Sequence, residues 1–249
     1  MASIKQIGID FKEKLGMEYY PIGMMYADSK PEGSMGFKKK VGGCIIPLIL
    51  ASAKGNIVSF DADTIGWECS GFYLGYQKWI FDGIECYLSN GHIQNREPER
   101  LIKDPETARK FIESMIPENL LTKATVFKPL EKFEGDEKPL LIIFFVTADQ
   151  LSGLVMLLYY NNPGQENIIE ARLMSSCGSI VTWPLKRLQN NEKKAIMGIH
   201  DISARARIPK ELLSITLPYD LLLEAHSVIN ESFLTTDKWD IIKKRKALS

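Results

Sequence analysis

Three cysteines share one context, a glycine or serine neighbour at a predicted helix start: Gly43–Cys44, Cys69–Ser70 and Cys177–Gly178. The first turn of a helix presents unpaired N–H groups and the positive end of the helix dipole. A thiol placed there ionises more easily, which suits a nucleophile or a metal ligand. The small neighbours also let an anion or cofactor approach the backbone. Cys44, Cys69 and Cys177 are therefore candidate ligand-binding residues, and Cys44 or Cys177 is a candidate nucleophile.

A structural role explains the same cysteines without any chemistry. Free cysteine is among the most buried residue types and packs like a small apolar side chain. The chain contains no CxxC or CxxxC, so it lacks the spacing of a zinc ribbon, a thioredoxin or a ferredoxin. The fourth cysteine, Cys86, lacks such a glycine or serine neighbour and is expected to be structural. A metal, an iron–sulfur centre and haem all stay open as cofactors, and the metal ligands are unknown.

Arg205 is a further candidate ligand-binding residue. Asp201 and Arg205 are four residues apart, a spacing that pairs opposite charges on a helix. Arg205 with Arg207 would suit a carboxylate or a phosphate, and the alternative is a surface turn with ordinary salt bridges. The three histidines have no metal-ligand spacing and no tie to a cysteine: His92, His200 and His226. Catalytic residues are therefore unknown.

Charge and hydropathy exclude several classes of protein. The 249 residues carry 31 Lys and Arg against 31 Asp and Glu, and this balance argues against a nucleic-acid binder. Charges within the first 14 residues interrupt any signal-peptide core. The longest apolar run, residues 140–148, falls short of the roughly twenty residues needed to cross a bilayer. We expect a cytoplasmic protein with thiol cysteines, no membrane partner and an open oligomeric state, either monomer or homo-oligomer.

The elements that position these residues follow from hydrophobic periodicity and from capping signals. Helices are predicted over residues 4–15, 44–53, 105–115, 151–160 and 219–232. Strands are predicted over residues 21–27, 57–60, 140–146, 168–173, 195–199 and 213–217. Strands and helices alternate irregularly, which predicts an α+β fold with a mixed or antiparallel sheet and packed helices.

A shift of 108 residues aligns Cys69 with Cys177 and places one helix–strand–turn pattern, residues 44–75, on another, residues 152–183. One hypothesis is a duplication of residues 1–120 in residues 121–249, two pseudo-symmetric halves sharing one core. The alternative is chance, because few residues are identical. In either case we expect residues 1–249 to form a single domain.

Short motifs across the chain resemble an uncharacterised prokaryotic family, domain-of-unknown-function 169. They are Pro21-Ile-Gly, Gly43-Cys44, the stretch Cys-Ser-Gly-Phe-Tyr-Leu-Gly at 69–75, Cys-Gly-Ser-Ile-Val-Thr-Trp-Pro at 177–184, Asp-Ile-Ser-Ala-Arg at 201–205 and Leu-Ser-Ile-Thr-Leu-Pro at 213–218. The resemblance implies no established activity, but it directs attention to Cys44, Cys69, Cys177 and Arg205.

Three classes of function follow from these observations. The favoured one is a small-ligand- or cofactor-binding protein with a cysteine-containing pocket between the two halves. The alternatives are a thiol-dependent enzyme that uses Cys44 or Cys177, and a scaffold or interaction protein whose cysteines only pack.

Overall fold

A seven-stranded sheet carries helices on both of its faces. The computed structural model describes residues 2–40, 43–66, 68–93, 96–117, 119–161, 163–173 and 175–245. The strands are β1 (Ile22–Ala27), β2 (Val58–Phe60), β3 (Ala124–Pro129), β4 (Leu141–Val146), β5 (Ile169–Ala171), β6 (Ala195–Gly198) and β7 (Leu213–Pro218). Their order across the sheet is β2-β3-β1-β4-β7-β6-β5. Neighbouring strands are antiparallel except for the parallel pair β5–β6, so the fold is α+β with a mixed sheet, as predicted.

The helices form one layer on each face of the sheet. The helices of the described residues are α1 (Ile4–Leu15), α2 (Ile46–Ala53), α3 (Cys69–Tyr73), α4 (Ile84–Leu88), α5 (Pro105–Glu113), α6 (Ala148–Leu158), α7 (Trp183–Gln189), α8 (Ile202–Arg205), α9 (Tyr219–Ser227) and α10 (Asp237–Lys244). We call α2, α3, α4, α5, α7 and α8 the front layer and α1, α6, α9 and α10 the back layer, since each set packs into its own core cluster. A π-helical segment, Gly178–Thr182, continues directly into α7.

The central strand β4 supplies both cores. Leu141, Ile143 and Phe145 face the front layer, while Ile142, Phe144 and Val146 face the back layer. All six side chains are fully buried. The alternation follows from the period of two along a strand, and burial on both faces explains why the run is apolar without interruption. The prediction of a central strand covered on both sides is confirmed.

Local capping signals explain where two helices begin or end. The side chain of Ser3 accepts a hydrogen bond at the start of α1, and Gly16 ends it in the left-handed conformation with a φ of 64°. Asp104 caps α5 and Pro105 is its first residue, as the sequence predicts. α2 begins at Ile46 rather than at Cys44, so Cys44 lies just before the helix.

Several elements differ from the expectations, two of them in ways that change the fold description. Strand β3 was not predicted, although all six of its residues are buried, because the short run ends in Lys128 and Pro129 and resembles a loop. The helix expected over residues 219–232 ends at Ser227, where the backbone leaves the helical conformation at Val228.

The two halves of the chain contribute strands to the same sheet, and the sequence order helix, strand, helical turn recurs in residues 44–75 and 152–183. However, α2 packs in the front layer and α6 in the back layer. A two-fold axis normal to the sheet would keep both helices on one face. The duplication therefore stays a prediction, and any symmetry relation between the halves has to account for these opposite faces.

A cysteine-lined cavity as candidate functional site

The front layer contains a cavity of about 260 Å³ that brings together Cys44, Cys69 and Cys177. Its walls come from both halves of the chain, through residues 43–111 and residues 173–207. Most of the apolar and aromatic lining comes from residues 80–111: Ile80, Phe81, Ile84, Tyr87, Leu88, Leu101, Ile102 and Phe111. The polar residues of the lining are Glu68, Ser70, Tyr73, Arg96, Glu99, Ser175, Ser176, Asp201, Ser203 and Arg207. The fourth cysteine, Cys86, is not among the lining residues.

Two of the thiols lie against the start of α2. The backbone N–H of Ile46 donates a hydrogen bond to the thiol of Cys44. The N–H of Ile45 donates to the thiol of Cys177, which arrives from the start of the π-helical segment. These N–H groups have no partner within the helix, so the sulfurs satisfy them. The sequence correctly placed both cysteines near helix starts, and the structure shows that they share one start.

Burial, rather than the helix dipole, controls the ionisation of these thiols. Burial raises the pKa of Cys44 even though the N–H of Ile46 and the charge of Arg207 lower it. Burial raises the pKa of Cys69 to about 12 and raises that of Cys177 well above its usual value. Desolvation of a thiolate outweighs the helix dipole at such positions. The expectation that these thiols ionise easily is therefore wrong.

Asp201 organises the polar side of the cavity. One carboxylate oxygen accepts hydrogen bonds from the N–H and the hydroxyl of Ser176, at 2.8 and 3.1 Å. The other accepts from the N–H of Ser203 at 2.8 Å, which caps α8, and from its hydroxyl. Asp201 thus joins two chain segments 25 residues apart in sequence, those of Ser176 and of α8. Its spacing to Ser203 is a capping signal that could have been recognised, whereas the contact with Ser176 could not.

Arg205 does not line the cavity and does not direct its guanidinium to Asp201. It donates to the carbonyls of Ile199, Lys210 and Leu212 instead. The predicted Asp201–Arg205 ion pair is replaced by these contacts, because α8 has one turn and the carboxylate of Asp201 already caps its start. Arg205 therefore positions the loop after β6, while Arg207, two residues further on, lines the cavity.

Backbone strain occurs on both sides of the site. Glu68, directly before Cys69, has a φ of 111°, and Ile199, two residues before Asp201, has a φ of 63°. A β-branched residue at positive φ is a conformational outlier, and such strain persists only where surrounding contacts hold it. Arg205 holds the Ile199 carbonyl at 3.5 Å, and the Ile199 side chain is fully buried. Strained backbone therefore positions both Cys69 and Asp201.

Ser70 presents a hydroxyl with no hydrogen-bond partner in the described residues. The residue is 1% exposed, lies in α3 directly after Cys69 and belongs to the lining of the cavity. Beside it, the buried hydroxyl of Tyr73 bonds to the side chain of Ser175, which also accepts from the N–H of Gly178 at 3.1 Å. A buried hydroxyl without a partner is destabilising, so Ser70 lowers the stability of the protein at this place in the cavity wall.

The sequence found the cysteines and missed most of their surroundings. Contacts between distant segments bring further residues to the cavity, and no short-range pattern points to them: Ser70, Tyr73, Glu99 and Arg207. Among the residues that the structure describes, no group of three or more His, Cys, Asp or Glu is arranged to hold a metal ion. The three thiols thus share a cavity without forming a metal-ligand cluster in the described part of the chain.

Fold and cavity together define an α+β protein with a thiol-lined pocket on one face of a mixed sheet. Residues 10–227 match the model of the domain-of-unknown-function 169 family, described as uncharacterised ArCR, and the chain belongs to that family. The resemblance stated from the sequence motifs is confirmed. Neither the curated proteins nor the solved structures yield a match. Over the described ranges, the helices are too short or too polar for any of them to span a membrane.

Proposed function

We propose that the protein binds a small molecule, either a metabolite or a cofactor, in the cavity lined by Cys44, Cys69 and Cys177. The observation that carries this proposal is the cavity itself, which gathers three cysteines from both halves of the chain and includes in its lining Ser70, a residue whose buried hydroxyl has no partner in the described residues. Buried polar groups are almost always satisfied, and a ligand atom would supply the missing hydrogen bond. A volume of about 260 Å³ is close to the lower end of the roughly 300–1,000 Å³ of small-molecule sites.

The composition of the walls supports the same proposal. Small-molecule sites combine apolar and aromatic walls with a few polar groups in fixed positions. Here the rings of Phe81, Tyr87 and Phe111 share the lining with Asp201, which its hydrogen bonds to Ser176 and Ser203 hold in place. The raised pKa values keep the thiols neutral at pH 7, so they offer soft, polarisable contact surface rather than charge. This favours binding over nucleophilic attack by Cys44 or Cys177.

The test compares two serines that differ only in their relation to the cavity. Ser70 and Ser52 are both buried with unpartnered hydroxyls, but Ser52 lies in α2 away from the lining. The wild-type protein and the Ser70→Ala and Ser52→Ala variants are incubated with the fraction of a cell extract below about 1 kDa and then exchanged into volatile buffer. Native mass spectrometry then measures any added mass, and a visible spectrum taken without oxygen detects a metal, iron–sulfur or haem chromophore.

We expect an added mass on the wild-type protein and on Ser52→Ala, and its loss or strong reduction on Ser70→Ala. Both variants should fold with unchanged or slightly higher stability, because each removes an unsatisfied buried hydroxyl. If the wild-type protein carries no small molecule, or if both variants carry it equally, the cavity is not the binding site and the proposal fails.

A further inference from the structure

The polar groups of the cavity lining are largely satisfied by one another. Asp201 has no charged partner in the described residues, but its two carboxylate oxygens accept four hydrogen bonds, from the N–H and the hydroxyl of Ser176 and of Ser203. Glu68 and Arg96 pair with each other, with 3.4 Å between the nearest nitrogen and oxygen. These three charged side chains therefore need no counter-charge from an occupant of the cavity.

The same holds for most of the other polar side chains of the lining. The hydroxyl of Tyr73 bonds to the side chain of Ser175. The half-buried carboxylate of Glu99 accepts a hydrogen bond from the hydroxyl of Tyr87 at 3.1 Å. Arg207 is exposed, so that water can hydrate its guanidinium. No lining charge is thus both fully buried and without a hydrogen bond over the described ranges.

One hydroxyl is the exception to this accounting. In the part of the chain that the structure describes, Ser70 is the lining residue whose buried side-chain polar atom has no partner. The residue is 1% exposed, so water does not hydrate this hydroxyl from the surface. The lining therefore calls for one hydrogen bond from an occupant, and otherwise for apolar contact.

Aromatic rings are the second feature of the lining. Four of them contribute to it: Tyr73, Phe81, Tyr87 and Phe111. The rings of Phe81 and Tyr87 lie 6.0 Å apart between centroids and are tilted by 57°. Rings attract further rings in edge-to-face or offset geometry, and sulfur atoms also make favourable contacts with rings. A lining of four rings and three thiols therefore favours an aromatic occupant over a saturated one of the same size.

The volume of the cavity limits the size of the occupant. An apolar cavity of about 150 Å³ can hold one benzene molecule. The cavity of about 260 Å³ therefore has room for a single ring or for two fused rings.

We propose that the occupant is a neutral aromatic molecule of one ring or two fused rings, with one polar atom that bonds to the hydroxyl of Ser70. Its ring contacts the aromatic side chains and the thiols of the lining. A charged molecule of the same size is disfavoured, because it would lose its hydration without gaining a fully buried counter-charge. This inference rests on the proposed function and names the class of ligand.

The experiment uses the full-length protein and measures affinity by isothermal titration calorimetry at pH 7. The probes are phenol and 1-naphthol, each compared with its saturated alcohol and with the carboxylate and the methylammonium compound of the same ring system. We expect at least one probe to bind at least tenfold more tightly than its three controls. If neither probe binds up to 5 mM, or if a control comes within tenfold of the tighter probe, the inference is wrong. The methylammonium control also tests for an ion pair with Glu99.

Variants assign the binding to the cavity. Leu101 is half-buried in the lining, so Leu101→Trp should fill the cavity and lower the affinity for the probe at least tenfold. Leu48→Trp, at a half-buried leucine outside the lining, is the matched control and should leave the affinity unchanged. Ser70→Ala should remove the preference for phenol over toluene, in which a methyl group replaces the hydroxyl.

Circular dichroism verifies that each variant folds, and the Ser70→Ala comparison decides the matter if Leu101→Trp does not fold. If folded Leu101→Trp binds the probe as tightly as the wild-type protein, or if Ser70→Ala keeps the preference for phenol over toluene, the inference is wrong. A charged or aliphatic molecule found by the mass-spectrometric test would overturn it while leaving the proposed function in place.

Discussion

Replacing Arg205 by alanine should destabilise the protein without directly changing the cavity. Its guanidinium donates to the carbonyls of Ile199, Lys210 and Leu212, and so ties the end of β6 to the loop before β7. A hydrogen bond from a charged donor contributes roughly 1.5–3 kcal/mol, but the contact to Ile199 is long at 3.5 Å and the side chain is partly exposed. We therefore expect a loss of about 2–4 kcal/mol in the free energy of unfolding. For a chain of this size that lowers the melting temperature by roughly 5–15 °C.

The matched control lies two residues away. Arg207 has the same charge, is exposed and makes no hydrogen bond to the described residues, so Arg207→Ala should change stability by less than about 0.5 kcal/mol. Urea denaturation followed by circular dichroism measures both variants, and Arg205→Lys should recover only part of the loss because one ammonium group cannot span three carbonyls. If Arg205→Ala unfolds at the same urea concentration as the wild-type protein, the assignment of Arg205 as the residue that holds this loop is refuted.

Three further outcomes follow from the structure. Burial raises the pKa of Cys69 to about 12, so at pH 7.5 iodoacetamide should alkylate this thiol at least about 100-fold more slowly than free cysteine. Peptide mass spectrometry measures the rate, and rapid labelling of Cys69 would contradict the raised pKa. Replacing glycine by alanine normally favours a helix, but Gly153→Ala should reduce the free energy of unfolding by about 1–3 kcal/mol, measured by thermal unfolding, because the new Cβ would lie 2.5 Å from the ring of Trp239. Equal or higher stability would show that the ring moves aside. Burial raises the pKa of Glu137, but hydrogen bonds from Lys128 and the backbone lower it, and the pKa lies below the ordinary 4.5 overall. Glu137→Gln should therefore reduce the free energy of unfolding by about 1–3 kcal/mol at pH 7, and this difference should vanish as the pH falls through the folded-state pKa. A pH-independent difference would exclude the Glu137–Lys128 pair as its cause.

Local signals were sufficient for most of the elements but not for their arrangement. Asp104 followed by Pro105 defines the start of α5, and the apolar run before Thr147 defines β4, because capping and burial act over a few residues. The pairing of β3 between β1 and β2 depends on contacts across more than 60 residues, which no local pattern encodes. The placement of α6 on the back face likewise follows from packing against α1 and α9 rather than from its own sequence.

The same limit applies to the site. The cysteines were recognised because their neighbours mark helix starts, and the structure brings all three to one cavity. Their protonation was misjudged, since desolvation depends on the whole fold while the dipole argument uses only the nearest turn. Arg205 was favoured on its spacing to Asp201, but Arg205 holds the loop after β6 and Arg207 lines the cavity, because α8 is a single turn capped by Asp201.

The two faces of the sheet differ in the number of buried polar atoms that lack a hydrogen-bond partner. Within the described ranges, the buried side-chain polar atoms without a partner belong to Ser52, Ser70, Glu85, Trp183, Ser214 and Thr216. Four of these residues lie in front-layer helices: Ser52, Ser70, Glu85 and Trp183. The other two, Ser214 and Thr216, alternate along β7 with Ile215, whose side chain points to the back, so they also face the front. An engineer who selects only for heat resistance would therefore find improving substitutions mainly on the front face, and those at the cavity would be selected at the expense of the ligand binding proposed above. The back layer is the better place to add stability without this trade-off.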